Sequence, residues 1–510
     1  MKKKILNIIS SILKSNKFYI VTLIFFFLES AWIALSARYP QAFDENFHFG
    51  LIKLYSTHLS PIISKQPPQG DAFGAVTRDP SFLYHYLMSW PYRIIEKFIH
   101  TQIYQIVILR FIDIIFFLIG LIYFRAVLLK LKLSKSLSNI ILFLFILIPI
   151  VPQLAGQINY DDLLFLLCGL IFWLCLKLIE NILKQVISFR EIATLMIVCT
   201  IAGLVKYAFF PIYLAIVVYL IYLVLRVYRH NLSAFFKSFI ASFKKENIYL
   251  KTILMLLIIV LLGMFYQRDI LNLIDYGSLA PNCKKILTVK ECQKYYVWAS
   301  DTARHKLVLE HKAFASNNIF YYIGQWFYWM WYRLFFAING PKQHYINYPP
   351  LPLPSAAAIL IASIGVILLI KNFKRIFYKN QFNIFIGLVV VFYSIALFIQ
   401  GLITYHYTAV LENMNGRYLI PILILFIALI GQAYSITLRK KYSSKIIISV
   451  IAIVLFLNGG GILTYMIRSN DSWYITSTKI YKINKVARKI TKKIVITGKK
   501  TYPTKFWFFN

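Results

Sequence analysis

The sequence predicts an all-α polytopic membrane protein, a bundle of about 11 transmembrane helices with two large outer loops that carry interfacial helices. Three observations predict it. Hydrophobic residues make up 59% of the 510 and charged residues only 15%, and the mean hydropathy is +0.66. Several apolar runs reach the roughly 20 residues that a helix needs to cross a bilayer, without the alternating ten-residue segments of a β-barrel. Most of the 56 Lys and Arg, set against 19 Asp and Glu, fall in short segments between those runs. That is the pattern of cytoplasmic loops beside anionic lipid. The net charge of +37 is therefore a topological signal. No nucleic-acid partner is expected, because no folded basic domain is present to bind one.

MKKK opens the chain like a signal peptide, but no small-residue cleavage site follows and the apolar run continues to about Leu35. It reads as an uncleaved first span, about Phe18 to Leu35, with its start inside and Arg38 outside. Residues 38–102 form the first outer loop. Pro40, Pro61, Pro67, Pro68, Pro80 and Pro91, with alternating apolar and polar patches, predict short amphipathic helices on the membrane face. Span two covers about Ile103 to Phe124, and Arg125, Lys130, Lys132 and Lys135 mark the inside. Span three, about Leu137 to Leu154, ends outside at GQINYDD, where Asp161 and Asp162 open span four. Spans five and six, about 191–205 and 208–225, are joined tightly around Lys206. The basic loop after them is the strongest cytoplasmic signal in the chain.

Span seven, about Thr252 to Tyr266, leads into the second outer loop, 267–350. Its polar segment APNCKKILTVKEC makes a Cys283–Cys292 disulfide plausible, with two free thiols as the alternative. Cys168, Cys175 and Cys199 lie in apolar runs as small core residues. IFYYIGQWFYWMWYRLFF, residues 319–336, has the Trp and Tyr density of a membrane interface and predicts an in-plane helix. After YPPLPLP come span eight (to about Ile370), span nine (382–402), span ten (from Tyr418) and span eleven (446–466). Glu412 and Arg417 lie in the outer loop before span ten. Residues 467–510 are a basic C-terminal tail that eleven spans place outside, against the positive-inside rule for that segment alone; its length weakens the conflict.

This topology sends the unusual polar residues to one side. Asp44, Glu45 and His48, then Arg78 and Asp79, then Asp161 and Asp162, then Lys206, then Glu412 and Arg417 all fall at outer ends of spans. Acids at a membrane are costly and mark functional sites. The chemistry such a set suits is glycosyl transfer from a lipid phosphate. A carboxylate takes the acceptor hydroxyl proton as it attacks the anomeric carbon. Arg, Lys or a divalent metal balances the charge that develops on the leaving phosphate. Asp44, in RYPQAFDENFH directly after span one, is the candidate base. Plainer readings stand beside these. Asp44–Glu45 reads also, though less well, as a solvated helix cap or loop pair, Arg78–Asp79 as a local ion pair, and Asp161–Asp162 as the N-terminal cap of span four. Lys206 and Arg417 also fit as interface anchors, and His48 and His85 fit packing better than metal binding.

On these residues the chain resembles the GT-C glycosyltransferases, polytopic enzymes that use polyprenyl-phosphate sugars. RDPSFLYHYL at 78–87 looks like a segment in the first outer loop of lipid A aminoarabinose transferases and protein O-mannosyltransferases. INYDDLLF is similar to their acid-initiated fourth span, GLVKYAFFP to their Gly-x-x-x-Lys turn, and NGRYLIP to a segment of related bacterial proteins. The resemblance covers roughly residues 15–225 well and the remainder loosely. It implies a catalytic module over 1–225, a variable transmembrane module over 226–466 and the tail. It also implies Asp44 as base and Glu45 as its support or a metal ligand. The second acidic group would be Asp79 with Asp161 or Asp162. Lys206, Arg417, Arg78 and Arg38 would serve the donor phosphate. A divalent metal (Mg or Mn) would sit at Asp79 or Glu45, although Arg-Asp-Pro stands here where relatives often have Glu-Lys-Pro-Pro.

The expected function is thus an inverting glycosyltransferase on the extracytoplasmic face of a bacterial plasma membrane. Its partners would be a polyprenyl-phosphate sugar donor, an extracytoplasmic glycan, wall polymer, lipid or protein acceptor, and membrane lipids. The alternatives are a transporter or flippase of a lipid-linked glycan, and a non-catalytic envelope assembly subunit. Against transport, polar residues gather at span ends and no internal repeat is visible.

Overall fold

The computed structural model describes residues 2–311, 318–336, 338–339, 345–346, 352–411, 414–438, 442–459, 465–466, 469, 471–475 and 478–494. Glu412, most of YPPLPLP and residues 495–510 of the tail lie outside the described residues. The N-terminus forms two helices, not one continuous run. α1 (Lys2–Lys14) and α2 (Asn16–Ser36) part at Ser15, whose hydroxyl accepts the Phe18 N–H at 3.0 Å and starts a new helix. Residues 38–102 fold into α3 (Glu45–Ser56) and α4 (Leu83–Phe98), joined by short turns at Gly70–Phe73 and Val76–Arg78. The long α5 (Gln102–Lys130) follows. The expected third span breaks into α6 (Lys135–Ile146) and α7 (Ile150–Ala155). Pro149 and Pro152 remove the backbone donors that would carry one helix through.

Next come α8 (Tyr160–Leu183), α9 (Phe189–Val205), α10 (Phe210–Val227) and the amphipathic α11 (Leu232–Lys245). α12 (Ile248–Phe265) does not end at Tyr266 as expected. It continues through a π turn at Tyr266–Ile270 into α13 (Leu271–Tyr276). The next segment carries α14 (Val289–Cys292), the Cys283–Cys292 disulfide and α15 (Tyr296–Leu309). The aromatic stretch is α16 (Ile319–Phe336). Then come α17 (Pro352–Lys371), α18 (Phe373–Phe377), α19 (Gln381–Thr408), α20 (Ile420–Thr437), α21 (Tyr442–Gly459) and α22 (Thr478–Ile494). α16 buries Tyr322, Trp326 and Met330, spaced one turn apart, with Tyr405 of α19 and Met414. The Tyr322 hydroxyl donates to the Phe398 carbonyl at 2.8 Å.

Seven helices among the described residues are long and apolar enough to cross a membrane, and three more apolar helices are shorter, against the 11 spans expected. The chain is a multi-pass helical membrane protein. The C-terminal segment returns to the end of the bundle that holds residues 38–102. There the Arg38 N–H donates to the Trp473 carbonyl and the Ile475 N–H to the Ser36 carbonyl, both at 2.8 Å.

Lipid tails are as apolar as leucine, so packing quality and polar contacts hold such a bundle together. Its centre is the crossing of α5 and α8. Phe165 of α8 stacks on Phe117 of α5 at 4.1 Å and on Phe124 at 4.7 Å between centroids. The approach is permitted by Gly120 and Gly169. A Cβ on Gly169 would sit 3.1 Å from the Gly120 carbonyl oxygen and 3.0 Å from Tyr123 Cβ. Gly169→Val should therefore push the two helices apart and cost about 1–3 kcal/mol, the range for overpacking. Gly263, which has open space where its Cβ would lie, is the control. Thermal unfolding in detergent of Gly169→Val against Gly263→Val measures the difference.

Candidate active site

The segment after α2 is held by a buried ion pair. Glu45 and Arg110 are both fully enclosed. Arg110 Nε donates to Glu45 Oε1 at 2.7 Å and Nη2 to Oε2 at 2.8 Å. The Gln41 N–H donates to Oε2 at 2.7 Å and the Ile158 N–H to Oε1 at 3.2 Å. Arg110 Nη1 donates to the carbonyls of Ala34 and Ala37, each at 2.9 Å. Every oxygen of Glu45 is engaged, so the expectation of Glu45 as a catalytic partner or metal ligand is corrected. It is a clamp that ties the end of α2, the following loop, α5 and the entry to α8.

The clamp presents Asp44. Phe43 and Asp44 have φ of 61° and 64°, a left-handed conformation that Asp tolerates and Phe rarely adopts. Asn159 secures it, since its Nδ2 donates to the Phe43 carbonyl at 3.0 Å while its Oδ1 accepts the Asp161 N–H at 2.9 Å. The Asp44 side chain is 42% exposed and lies 3.7 Å from Arg417 Nη2. Arg417 covers the rings of Phe43 (4.5 Å) and Tyr418 (5.0 Å). Lys206 donates to Asp161 Oδ1 at 2.5 Å and sits 4.3 Å from the Tyr160 ring centre and 5.5 Å from that of Tyr418. Asp44, Arg417, Lys206 and Asp161 thus share one mouth. Lys206 reaches it because the α9–α10 turn is extended there, with φ −155° and ψ 114°. Arg417 reaches it because Gly416 lies against the Leu334 backbone, where a Cβ would not fit.

Other expected residues are placed differently. Asp162 is fully buried beside Asp113 of α5, and among the described residues neither of its oxygens has a hydrogen-bond partner. Asp161, not Asp162, therefore lines the mouth. Asp79 is half-buried at the rim and accepts the Ser81 N–H at 2.9 Å. Tyr295 lies within range of the charges of both Asp79 and Asp44. Burial raises the Asp79 pKa above the usual carboxylate range. Arg78 turns aside to Asp275 at 3.4 Å and to the Tyr276 ring. Arg38 is exposed beside Gln102, Ile103 and Ile475, away from the Asp44–Arg417 mouth. Neither arginine is placed to grip a phosphate there, which corrects both expectations.

A divalent metal does not fit the described residues as arranged. Glu45 is fully engaged and Asp161 is paired with Lys206, and no group of three His, Cys, Asp or Glu side chains among the described residues is close enough to hold an ion. No chemical step is derived through a metal.

Behind Asp44 a histidine pair is enclosed. His48 Nδ1 and His85 Nε2 are 2.9 Å apart, and the His48 ring meets the Tyr160 ring edge-on at 4.5 Å. Burial holds both below the usual histidine range, His85 down to about 3. Arg110, Asp113, Tyr84, Asn159 and the buried Arg268 were not singled out from the sequence. Tyr84 donates to Asp113 Oδ2 at 2.8 Å, and Arg268 donates to the Val76 carbonyl at 3.3 Å. LRFIDII and YQRDI, each with a base and an acid inside an apolar run, carried the signal.

No protein-family model and no curated protein matches the chain. Two solved structures match it by shape. One is the crystal structure of the Archaeoglobus fulgidus oligosaccharyltransferase tethered with an acceptor peptide containing the NVT sequon. It has a TM-score of 0.42 and 12% identity, and the match covers 90% of this chain and 58% of that one. The other is the archaeal oligosaccharyltransferase AglB from Archaeoglobus fulgidus in complex with an inhibitory peptide and a dolichol-phosphate. It also has a TM-score of 0.42 and 12% identity, covering 96% of this chain and 61% of that one. The chain spans about three-fifths of the length of the structures it matches.

Two stability measurements probe this geometry. Glu45→Gln leaves Arg110 buried without its counter-charge and should cost about 3–5 kcal/mol, read as a large drop in melting temperature in detergent. The histidine pair gives a pH signature. Because the folded pKa values lie below the unfolded value of about 6.5, stability is full above pH 6.5. It falls as pH drops towards 3, by at most about 1.4 kcal/mol per unit for each histidine. Asp79, with a raised folded pKa, works in the opposite sense as pH falls. His85→Gln, which can still hydrogen-bond His48, should flatten the slope of melting temperature between pH 6.5 and 4.

Proposed function

We propose that this protein is an inverting glycosyltransferase of the extracytoplasmic face of a bacterial plasma membrane. It moves a sugar from a polyprenyl-phosphate donor to an extracytoplasmic glycan, wall polymer, lipid or protein. One observation carries the reading, namely the half-exposed carboxylate of Asp44 held 3.7 Å from Arg417 in the mouth that also contains the Lys206–Asp161 pair. In this reaction the Asp44 carboxylate takes the proton of the acceptor hydroxyl. The acceptor oxygen attacks the anomeric carbon from the face opposite the phosphate. The bond between that carbon and the phosphate oxygen breaks, and its electron pair leaves on the prenyl phosphate. Arg417 and Lys206 hold the leaving phosphate as its negative charge grows. Donor binding draws Arg417 towards phosphate and loosens its 3.7 Å contact with Asp44. Asp79, at the rim, contributes a second acidic group facing the acceptor.

The test is release of prenyl phosphate from radiolabelled prenyl-phosphate sugars by the purified protein. Asp44→Asn should lower turnover by about 10²–10⁴ with an unchanged melting temperature. Wild-type turnover in that variant would remove Asp44 as the base. No release from any donor by the unmodified protein would return the chain to the transporter or assembly-subunit reading.

A further inference from the structure

A cavity that the proposed reaction does not use runs from beside Leu334, which packs on Gly416, to the end of the bundle away from Asp44. It occupies about 420 Å³ between α1, α6, α16, α17, α20 and α21, within the roughly 300–1,000 Å³ of ligand sites. Its walls are apolar along the membrane-crossing direction, with Leu137 and Ile141 of α6 facing Leu423, Ile427 and Ile430 of α20. Its lining changes character where the helices end. α20 starts beside Arg417 and finishes at Thr437, so Ser435 lies at the far end. Lys14 closes α1, Lys445 lies in the first turn of α21, and Ser134 and Ser136 stand at the start of α6. All of these line the cavity, and no Asp or Glu does. Lys445 is half-buried, and its Nζ donates to Ser435 Oγ at 3.3 Å, which keeps the ammonium at the cavity end. Among the described residues neither lysine has a carboxylate partner within salt-bridge distance.

An apolar slot that runs along the membrane and ends in two cations and several hydroxyls has the polarity of a phospholipid. We propose that this cavity binds one anionic phospholipid from the leaflet opposite the acidic mouth. An acyl chain lies in the cavity that α6 and α20 bound with α1, α17 and α21, and the phosphate meets Lys14 and Lys445, with the serine hydroxyls as further donors. A prenyl phosphate suits it less well, because the cations of the proposed donor site, Arg417 and Lys206, lie at the other end of the bundle. The lipid has a structural consequence. Among the described side chains of α1 only Leu13 and Ser10 are buried, and Ile5, Ile8 and Ile12 are exposed. A headgroup shared between Lys14 and Lys445 joins α1 to α21 through a ligand. This inference does not depend on the glycosyltransferase reading.

Native mass spectrometry of the delipidated full chain, titrated with phosphatidylglycerol and with phosphatidylcholine, tests it. The expected result is tighter retention of phosphatidylglycerol and a rise in melting temperature on adding it. Each basic residue near a bilayer contributes roughly fivefold to anionic-lipid binding. Lys14→Ala with Lys445→Ala should therefore lower the preference by roughly tenfold or more and abolish the thermal shift. Ala452→Phe, which fills the cavity from α21, should reduce retention of both lipids. If the double variant does not elute as folded protein, Lys14→Gln and Lys445→Gln taken singly give the same reading at smaller size. Equal retention of the two headgroups by the unmodified chain overturns the proposal. So does an unchanged preference in the lysine variants, or displacement of phosphatidylglycerol by a prenyl phosphate at equal concentration.

Discussion

The arrangement at the acidic end depends on one buried ion pair. Glu45 and Arg110 lie where water does not reach, and such a pair is favourable only when its remaining polar atoms are satisfied. Here each Glu45 oxygen accepts one bond from Arg110 and one from a backbone N–H, and Arg110 spends Nη1 on the last turn of α2. The pair therefore joins four stretches of chain that are distant in sequence. It also fixes the backbone of the two residues before Glu45, Phe43 and Asp44, which both take the left-handed conformation. A carboxylate in that turn has a defined direction because its neighbour in sequence cannot move.

The helical class, and the residues that gather with Asp44 once Asp161 or Asp162 is left open, were legible from hydropathy and from where polar residues interrupt it. The pairings were not. Asp161 and Asp162 differ by one residue, which turns a side chain by roughly 100° about a helix. One faces Lys206 and the other Asp113, and no spacing rule says which. Asp44 and Glu45 divide in the same way, one to the cleft and one to Arg110. Arg110 and Asp113 were passed over because a span was read as a length of apolar residues. Their spacing of three puts both on one helix face, and the cost of a buried charge was the clue. The breaks at Ser15 and Pro149 were also written in the chain, as a capping hydroxyl and a missing donor, but continuous hydropathy outweighed them.

The two ends of the bundle use basic residues differently. In the mouth Arg417 and Lys206 each already have a carboxylate and an aromatic face, so an incoming anion must exchange with a partner. At the far end Lys445 meets a hydroxyl and Lys14 lines the same cavity, and an anion adds charge balance without displacing a carboxylate. The first arrangement suits a ligand that comes and goes, the second one that stays.

The two ion pairs of the mouth are not equivalent, and the difference assigns their parts in the proposed reaction. Lys206 and Asp161 are 2.5 Å apart with side chains 8% and 6% exposed. Arg417 and Asp44 are 3.7 Å apart, with Asp44 42% exposed. A contact that is longer and wetter yields less energy and is exchanged more readily. Arg417 is therefore the cation that a phosphate can draw away, and Asp44 the carboxylate that changes partner when it does. Lys206, fixed by Asp161, remains as a stationary charge against which the phosphate is positioned. The longer pair is thus the one next to the clamp, where Glu45 and Arg110 hold the backbone on which Asp44 stands.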